Sequence, residues 1–348
     1  MADRRWKAGS FVGEAQAQGR NLRVEVQDFI HGALAKSTRK SFTAAENLFL
    51  RIIFGNEGRG ELYPLSGSLL LLYIYVMSKV GYAPSTIRTY VAGLKTRNIE
   101  SGHRLTKLEC ERVKRAVKAA EKQGIYEVPV PGRDGEKIVL RPGHLRAVRR
   151  RGATEDPYWI VMLTCVFALL RARECLALKY GDIRFAMKGA SDVMTLRIRK
   201  SKCDQLRRGA VLTVGCAKKS CRRPCGEPLC PVHNMYQYLH KGVHAGWFAP
   251  NTEDCIFVNP ELPGEAVTYN GYLSNVRAKF SSVDDLRGFV VTHAMRRSGA
   301  NWLWHASVPL FNIREFGRWS TRGTLEDRYL SGASKSQQHL YSAAMLTG

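Results

Sequence analysis

The sequence predicts a mainly α-helical protein with one small β-hairpin, built as an N-terminal helical bundle followed by a larger α+β domain. Three observations lead there. Apolar residues recur at helical spacing over most of the chain. Alternation of the β kind is confined to TLRIRKSK and GAVLTVG, within residues 195–215. Residues 126–142 carry three prolines and two glycines and interrupt the periodicity. The 348 residues suit two domains of ordinary size, and 45% hydrophobic residues can fill both cores.

In chain order, residues 1–24 are rich in Gly, Ala and Gln and weakly patterned, and are expected to be a flexible arm. Residues 25–125 read as the helical bundle. Phe42, Ala45, Phe49, Ile52 and Ile53 recur at helical spacing behind the candidate caps Ser37 and Thr38. Residues 69–77 are apolar nearly all round, so a buried helix is expected there, ended by Gly81. Pro84, Ser85 and Thr86 start a third helix, in which Ile87, Tyr90, Val91 and Leu94 share a face while Arg88 and Lys95 stay polar. A basic helix spans about 108–122. Residues 126–142 are the linker, and 143–348 form the second domain. Helices run through Leu178, the hairpin follows, and helices return from Pro231 to the end.

Lys and Arg number 54 against 30 Asp and Glu, giving a net charge of +24. The excess is spread along the chain, so one basic tail does not explain it. A folded body this basic attracts a polyanion. No stretch reaches the ~18 apolar residues that a membrane span needs. The longest, residues 158–170, is interrupted by Thr164 and reads as a core helix. The start of the chain lacks the basic-then-apolar pattern of a secretory signal. The nine cysteines are therefore expected as reduced thiols, and the protein inside the cell, in the nucleus where the host is eukaryotic.

Four segments of the second domain carry chemistry-bearing residues. Arg171 ends an apolar run and is followed by Glu174. Lys202 lies in Ser201-Lys202-Cys203-Asp204 at the hairpin tip. His293 and Arg296, three residues apart, share a helix face. Trp319, within Gly317-Arg318-Trp319-Ser320, precedes Tyr329 by ten residues. Singly, each has a plain structural reading: an internal ion pair, a solvated turn lysine, a satisfied helix histidine, a core tryptophan, one tyrosine among 14.

Together, in the order Arg, Lys, His-x-x-Arg, Trp, Tyr over about 160 residues, they resemble the catalytic domain of the tyrosine recombinases, the phage-integrase family. Residues 169–178 look like that family's first arginine box, and 292–330 like its second. Residues 25–125 resemble its core-binding domain, including Ser85-Thr86-Ile87 and Tyr90. The Gly-Arg-Trp-Ser and Ser-Lys-x-Asp strings look most like the recombinases of eukaryotic mobile elements such as cryptons. Two departures stand out. Trp319 occupies a position where many members carry histidine. The Trp-to-Tyr spacing of ten is one residue longer than in common members, and Gly323 can absorb it.

The resemblance implies a site-specific recombinase or integrase that cuts and rejoins duplex DNA through a 3′-phosphotyrosine at Tyr329. Arg171 and Arg296 would grip the non-bridging phosphate oxygens, with Glu174 in support. His293 would act as base or hydrogen-bond partner. Lys202, or alternatively Lys200, would protonate the departing 5′-oxygen. Trp319 would donate its indole N–H. No metal or cofactor is implied at the reacting phosphate, and no Gly-x-x-x-x-Gly-Lys-Ser/Thr loop is present for ATP. The implied partner is double-stranded DNA and the implied assembly a homotetramer on two DNA sites, joined through residues 331–348. Tyr341 ranks far below Tyr329 as nucleophile. Two alternatives remain: relaxation of the type IB topoisomerase kind, and a catalytically silent domesticated DNA-binding protein.

Cys216, Cys221, Cys225 and Cys230 follow the hairpin, with His233 three residues on. No pair has the C-x2-C spacing typical of zinc sites, so unliganded thiols are the expectation, with a zinc clip as the alternative.

Overall fold

The computed structural model describes residues 2–55, 61–126, 138–150, 156–189, 191–201, 209–218, 225–250, 253–259, 262–281, 283, 286, 290–320 and 323–330. The chain divides into two compact units, Met1–Pro129 and Val130–Gly348. The division falls inside the proline- and glycine-bearing segment 126–142.

The first unit is all helical: α1 (Ala2–Ala17), α2 (Leu22–Gly32), α3 (Lys36–Phe54), α4 (Gly67–Lys79), α5 (Pro84–Glu100) and α6 (Lys107–Tyr126). Residues 1–24, expected to be a flexible arm, hold α1 and the start of α2 instead. Their Ala, Gln, Glu and Arg content favours helix in its own right, which the weak apolar pattern concealed. The candidate caps Ser37 and Thr38 fall inside the first turn of α3, behind Ala35.

Helices α3 to α6 close around Phe49, Leu70, Tyr73, Ile74, Met77, Ile87, Val91, Leu94 and Val113. The Phe49 and Tyr73 rings lie 5.2 Å apart at its centre. Buried Asn98 ties the bundle together polar to polar. Its Oδ1 accepts the Leu65 N–H at 2.8 Å and its Nδ2 donates to the His103 carbonyl at 3.2 Å. Helix α4 is buried on one side only. Leu70, Tyr73, Ile74 and Met77 face the core, whereas Leu72 and Tyr75 are exposed. A run apolar all round does not reveal which side the bundle leaves uncovered.

The second unit is built on α8 (Pro157–Phe167), whose N-cap Asp156 accepts the Tyr158 N–H at 2.8 Å. Residues 159–166 are all buried, because α8 is packed by α10 (Pro231–His244), α11 (Tyr269–Phe280) and α12 (Thr292–His305). Each fully buried aliphatic or aromatic side chain there contributes roughly 1.5–3 kcal/mol. Helix α7 (Pro142–Arg150) precedes α8, and the short α9 (Ala172–Leu176) follows it.

The expected hairpin is present as β2 (Ser191–Ile198) and β3 (Ala210–Gly215). It is the larger part of a three-stranded antiparallel sheet, β1-β2-β3, whose first strand β1 (Ile183–Lys188) lies outside the expected hairpin. Met194, Leu196 and Ile198 from β2 and Leu212 and Val214 from β3 point into the core and pack with α10. Asp192 occupies the same inward row and is also buried. After α10 the chain is not helical throughout: β4 (Val258–Asn259) and β5 (Leu262–Ala266) form a small antiparallel pair before α11. The described part of the chain ends with α13 (Leu310–Phe316), α14 (Thr324–Arg328), Tyr329 and Leu330. Among the described residues, no helix is long and apolar enough to cross a membrane.

Candidate active site

Close packing of α12 on α8 places the first site residue. A Cβ at Gly299 would stand 2.0 Å from the Val166 carbonyl oxygen, so only glycine lets the two helices meet this closely. One turn earlier, Arg296 is thereby brought under the end of α8 and is 0% exposed. Leu169 there adopts φ +48°, and its carbonyl accepts from Arg296 Nη1. Arg296 Nη2 donates to the Gly317 carbonyl. Two segments far apart in sequence are thus tethered to one rigid guanidinium.

Arg171 stands at the N-cap of α9. Glu174, in the first turn, reaches back. Its Oε2 accepts the Arg171 backbone N–H at 3.0 Å and its Oε1 accepts Arg171 Nη1 at 2.6 Å. Glu174 Oε2 also accepts Arg318 Nη2 at 2.7 Å and lies 3.9 Å from Arg296 Nη1. One buried carboxylate therefore faces three guanidiniums. Burial alone would push the Glu174 carboxyl up. Arg318, the Arg171 backbone N–H and the Arg171 side chain together outweigh it and hold the carboxyl below its ordinary range. Burial first, then repulsion from Arg171, lowers the Arg296 guanidinium to about 10, which leaves it charged at neutral pH.

Trp319 and Tyr329 complete the group. The Arg296 guanidinium carbon lies 4.3 Å from the Trp319 ring centre and 6.0 Å from that of Tyr329. The two rings meet edge to face, 4.9 Å apart at 68°. Leu169, Ala300, Ile313, Leu325 and Leu330 form the apolar platform under them. Gly323 takes φ +82° at the start of α14, a left-handed conformation that suits glycine. The Asn301 amide donates to the Tyr329 carbonyl at 2.8 Å, anchoring the backbone there and leaving the phenol out of that bond.

The donors of this group outnumber its acceptors. Arg296 Nε, Arg318 Nε and Nη1, and Trp319 Nε1 are buried with no acceptor among the described residues. Native interiors rarely leave so many donors unpaired in one place, so the group suits an anionic ligand rich in acceptor oxygens. A cavity of about 310 Å³ adjoins it, bounded by Ser201 and Gly209 at the edge of the hairpin and by Arg314, Arg318, Trp319 and Ser320 opposite.

Of the residues expected in the site, the structure brings together Arg171, Glu174, Arg296, Trp319 and Tyr329. Lys202 lies outside the described residues, although its neighbour Ser201 borders the cavity. Lys200 is exposed. His293 stands exposed on the first turn of α12, so the face it shares with Arg296 runs from the surface inward. Tyr341 and the tail 331–348 also lie outside the described residues. Arg318 and Asn301 were not expected. Arg318 belongs to the Gly-Arg-Trp-Ser string, but only the fold, with φ +59° at that residue, turns its side chain onto Glu174.

No family model and no curated protein matches the sequence. Solved structures do resemble it. One is the XerH site-specific recombinase bound to palindromic difH substrate in a post-cleavage complex: 15% identity, 83% of this chain and 74% of that chain covered, TM-score 0.50. Another is the Tn1549 transposon integrase in complex with circular intermediate DNA: 13% identity, 91% and 98% covered, TM-score 0.54. The same integrase with transposon right end DNA gives 12% identity, the same coverage and TM-score 0.55. An N-terminal helical bundle followed by an α+β domain of this topology gives the chain the fold of the tyrosine recombinases.

Proposed function

We propose that the chain is a tyrosine recombinase, a site-specific DNA recombinase or integrase that breaks and rejoins duplex DNA through Tyr329. One observation carries the reading. Three guanidiniums converge on a single buried carboxylate, with donors to spare, beside a tyrosine whose ring is fixed against them. A phosphodiester undergoing transesterification gains negative charge on its non-bridging oxygens. Preorganised cations and N–H groups in a buried site stabilise that charge most effectively.

In this mechanism the Tyr329 oxygen attacks phosphorus and its proton leaves toward His293. The bond from phosphorus to the 5′-oxygen breaks, and Lys202, or Lys200, protonates that oxygen. The products are a 3′-phosphotyrosine and a free 5′-hydroxyl, and reversal with a second strand end rejoins DNA without ATP. Arg171, Arg296 and Arg318 hold the phosphate oxygens, and Glu174 fixes their orientation. Trp319 donates its indole N–H but exchanges no proton, so its part is positioning. Double-stranded DNA is the partner, drawn by the +24 charge. The working assembly is a homotetramer on two DNA sites, acting inside the cell, in the nucleus of a eukaryotic host. The Gly-Arg-Trp-Ser and Ser-Lys-x-Asp strings favour a crypton-like mobile element as its source.

The test is a suicide substrate: nicked duplexes from the flanks of the coding gene, incubated with wild type and with Tyr329→Phe and run on a denaturing protein gel. A DNA-shifted band with wild type alone supports the reading. Tight binding with no band from any duplex favours the silent DNA-binding protein instead.

A further inference from the structure

We infer that the second unit holds a structural zinc ion on Cys216, Cys225, Cys230 and His233, a site unconnected with the guanidinium group. The linear spacing, C-x8-C-x4-C-x2-H, argues against a zinc site by lacking a C-x2-C pair. The fold supplies what the spacing does not. Cys216 follows the last residue of β3, Cys230 is the N-cap of α10, His233 lies in that helix's first turn, and Cys225 belongs to the connection between them. Their ligand atoms all lie within 4.8 Å of one another.

The three edges among Cys216, Cys230 and His233 are close to those of a tetrahedral site. With Zn–S of about 2.3 Å and Zn–N of about 2.0 Å, ideal edges are about 3.8 Å between sulfurs and about 3.5 Å between sulfur and nitrogen. Cys230 Sγ and Cys216 Sγ are 3.8 Å apart. His233 Nδ1 lies 3.2 Å from Cys230 Sγ and 3.8 Å from Cys216 Sγ. The three cysteines are buried.

A second, independent feature points to the same ligand. His233 turns its other nitrogen, Nε2, to Asp192 Oδ2 at 3.2 Å. Asp192 stands in the inward row of β2, where every other residue is apolar, and is buried. A buried carboxylate in a core row needs a reason. Orienting a metal-ligating imidazole is one, because the carboxylate fixes the tautomer that leaves Nδ1 free to ligate. Four protein ligands close the coordination shell, so the ion is structural and has no open position for chemistry. It would fasten the end of the sheet to the start of α10.

The experiment uses the full chain, purified without chelator. Elemental analysis should find one zinc per chain, and cobalt exchanged for zinc should give the visible bands of a tetrahedral cobalt thiolate. Cys216→Ser and Cys230→Ser should lose both signals, while Cys110→Ser and Cys221→Ser keep them. Asp192→Asn retains all four ligands, so it serves where a cysteine variant does not fold. It should weaken zinc about 10–100-fold in competition with a chromophoric chelator. A chain that takes up neither metal, a Cys230→Ser variant that keeps the cobalt bands, or loss with Cys221→Ser but not with Cys225→Ser would each overturn the ligand set. None of these readouts involves DNA, so their failure leaves the recombinase reading untouched.

Discussion

Arg199 and Arg296 both lie beside acidic residues in the second unit, yet they belong to opposite kinds of cluster. Around Arg199 the charges balance. Its Nε donates to Asp182 at 2.6 Å, its guanidinium pairs with Glu253, and Lys179 reaches Glu253 at 3.0 Å, giving two cations and two anions. Glu253 is 69% exposed, so water screens what the pairing leaves over. Around Arg296 three guanidiniums share the single carboxylate of Glu174, whose side chain is 4% exposed. The first cluster satisfies itself and clamps β2 to the segments beside it. Among the described residues the second leaves donors of Arg296, Arg318 and Trp319 without an acceptor, which suits an anionic ligand. Desolvating an unbalanced positive charge is costly, and proteins keep such arrangements where a ligand supplies the missing charge.

Breaking the unbalanced cluster should have the largest consequence. Arg296→Ala removes a charge fixed by two carbonyls and should slow formation of the covalent DNA adduct by on the order of a hundredfold or more. Arg296→Lys should fail as well, because one ammonium cannot reproduce the planar fork. An adduct rate within a few-fold of wild type in quenched-flow gels would remove Arg296 from the site.

Glu174→Gln comes next. It leaves three guanidiniums without their anion and should cost roughly 3–5 kcal/mol in denaturant unfolding. Glu253→Gln, at the exposed end of the balanced cluster, should cost at most about 1 kcal/mol. Equal losses would erase the distinction between the clusters. The sign of the pH dependence follows from Glu174, whose carboxyl is held below its ordinary range in the fold. Its stabilising contribution is full above the unfolded carboxylate value and is lost as pH falls through the lower folded one. In Glu174→Gln the acid limb of the stability profile should be shallower there.

A smaller effect sharpens the same comparison. Inorganic phosphate or vanadate should raise the melting temperature of wild type in proportion to the logarithm of its concentration, up to about 2.7 kcal/mol of stabilisation at a hundred times Kd. Arg318→Ala should abolish most of that rise. Glu253→Gln, in the other cluster, should leave it unchanged. A rise that survives Arg318→Ala would place the anion elsewhere.

Much of this site is legible in the sequence, and the limit has a physical cause. Arg171, Glu174, Arg296, Trp319 and Tyr329 can be found because they lie in short strings at helix ends, where local order fixes chemistry. Arg318 cannot, since one arginine among 54 Lys and Arg looks like any other until a left-handed residue turns it inward. The pairing of His233 with Asp192 spans 41 residues and a strand-to-helix contact, so linear spacing carries no trace of it. The strand β1 escapes notice because IRFAMK is short and buries little on its own. Helix α1, within residues 1–24, carries no clear apolar stripe, so the periodicity of the sequence does not reveal it.

The central claim is that the unbalanced cluster presents a phosphate to Tyr329. The most direct test is mass-spectrometric mapping of the residue joined to DNA in the trapped nicked-duplex complex of the wild-type chain. A nucleotide linked through phosphate to Tyr329 is the predicted result. A link to Tyr341 or to any other residue would contradict the claim.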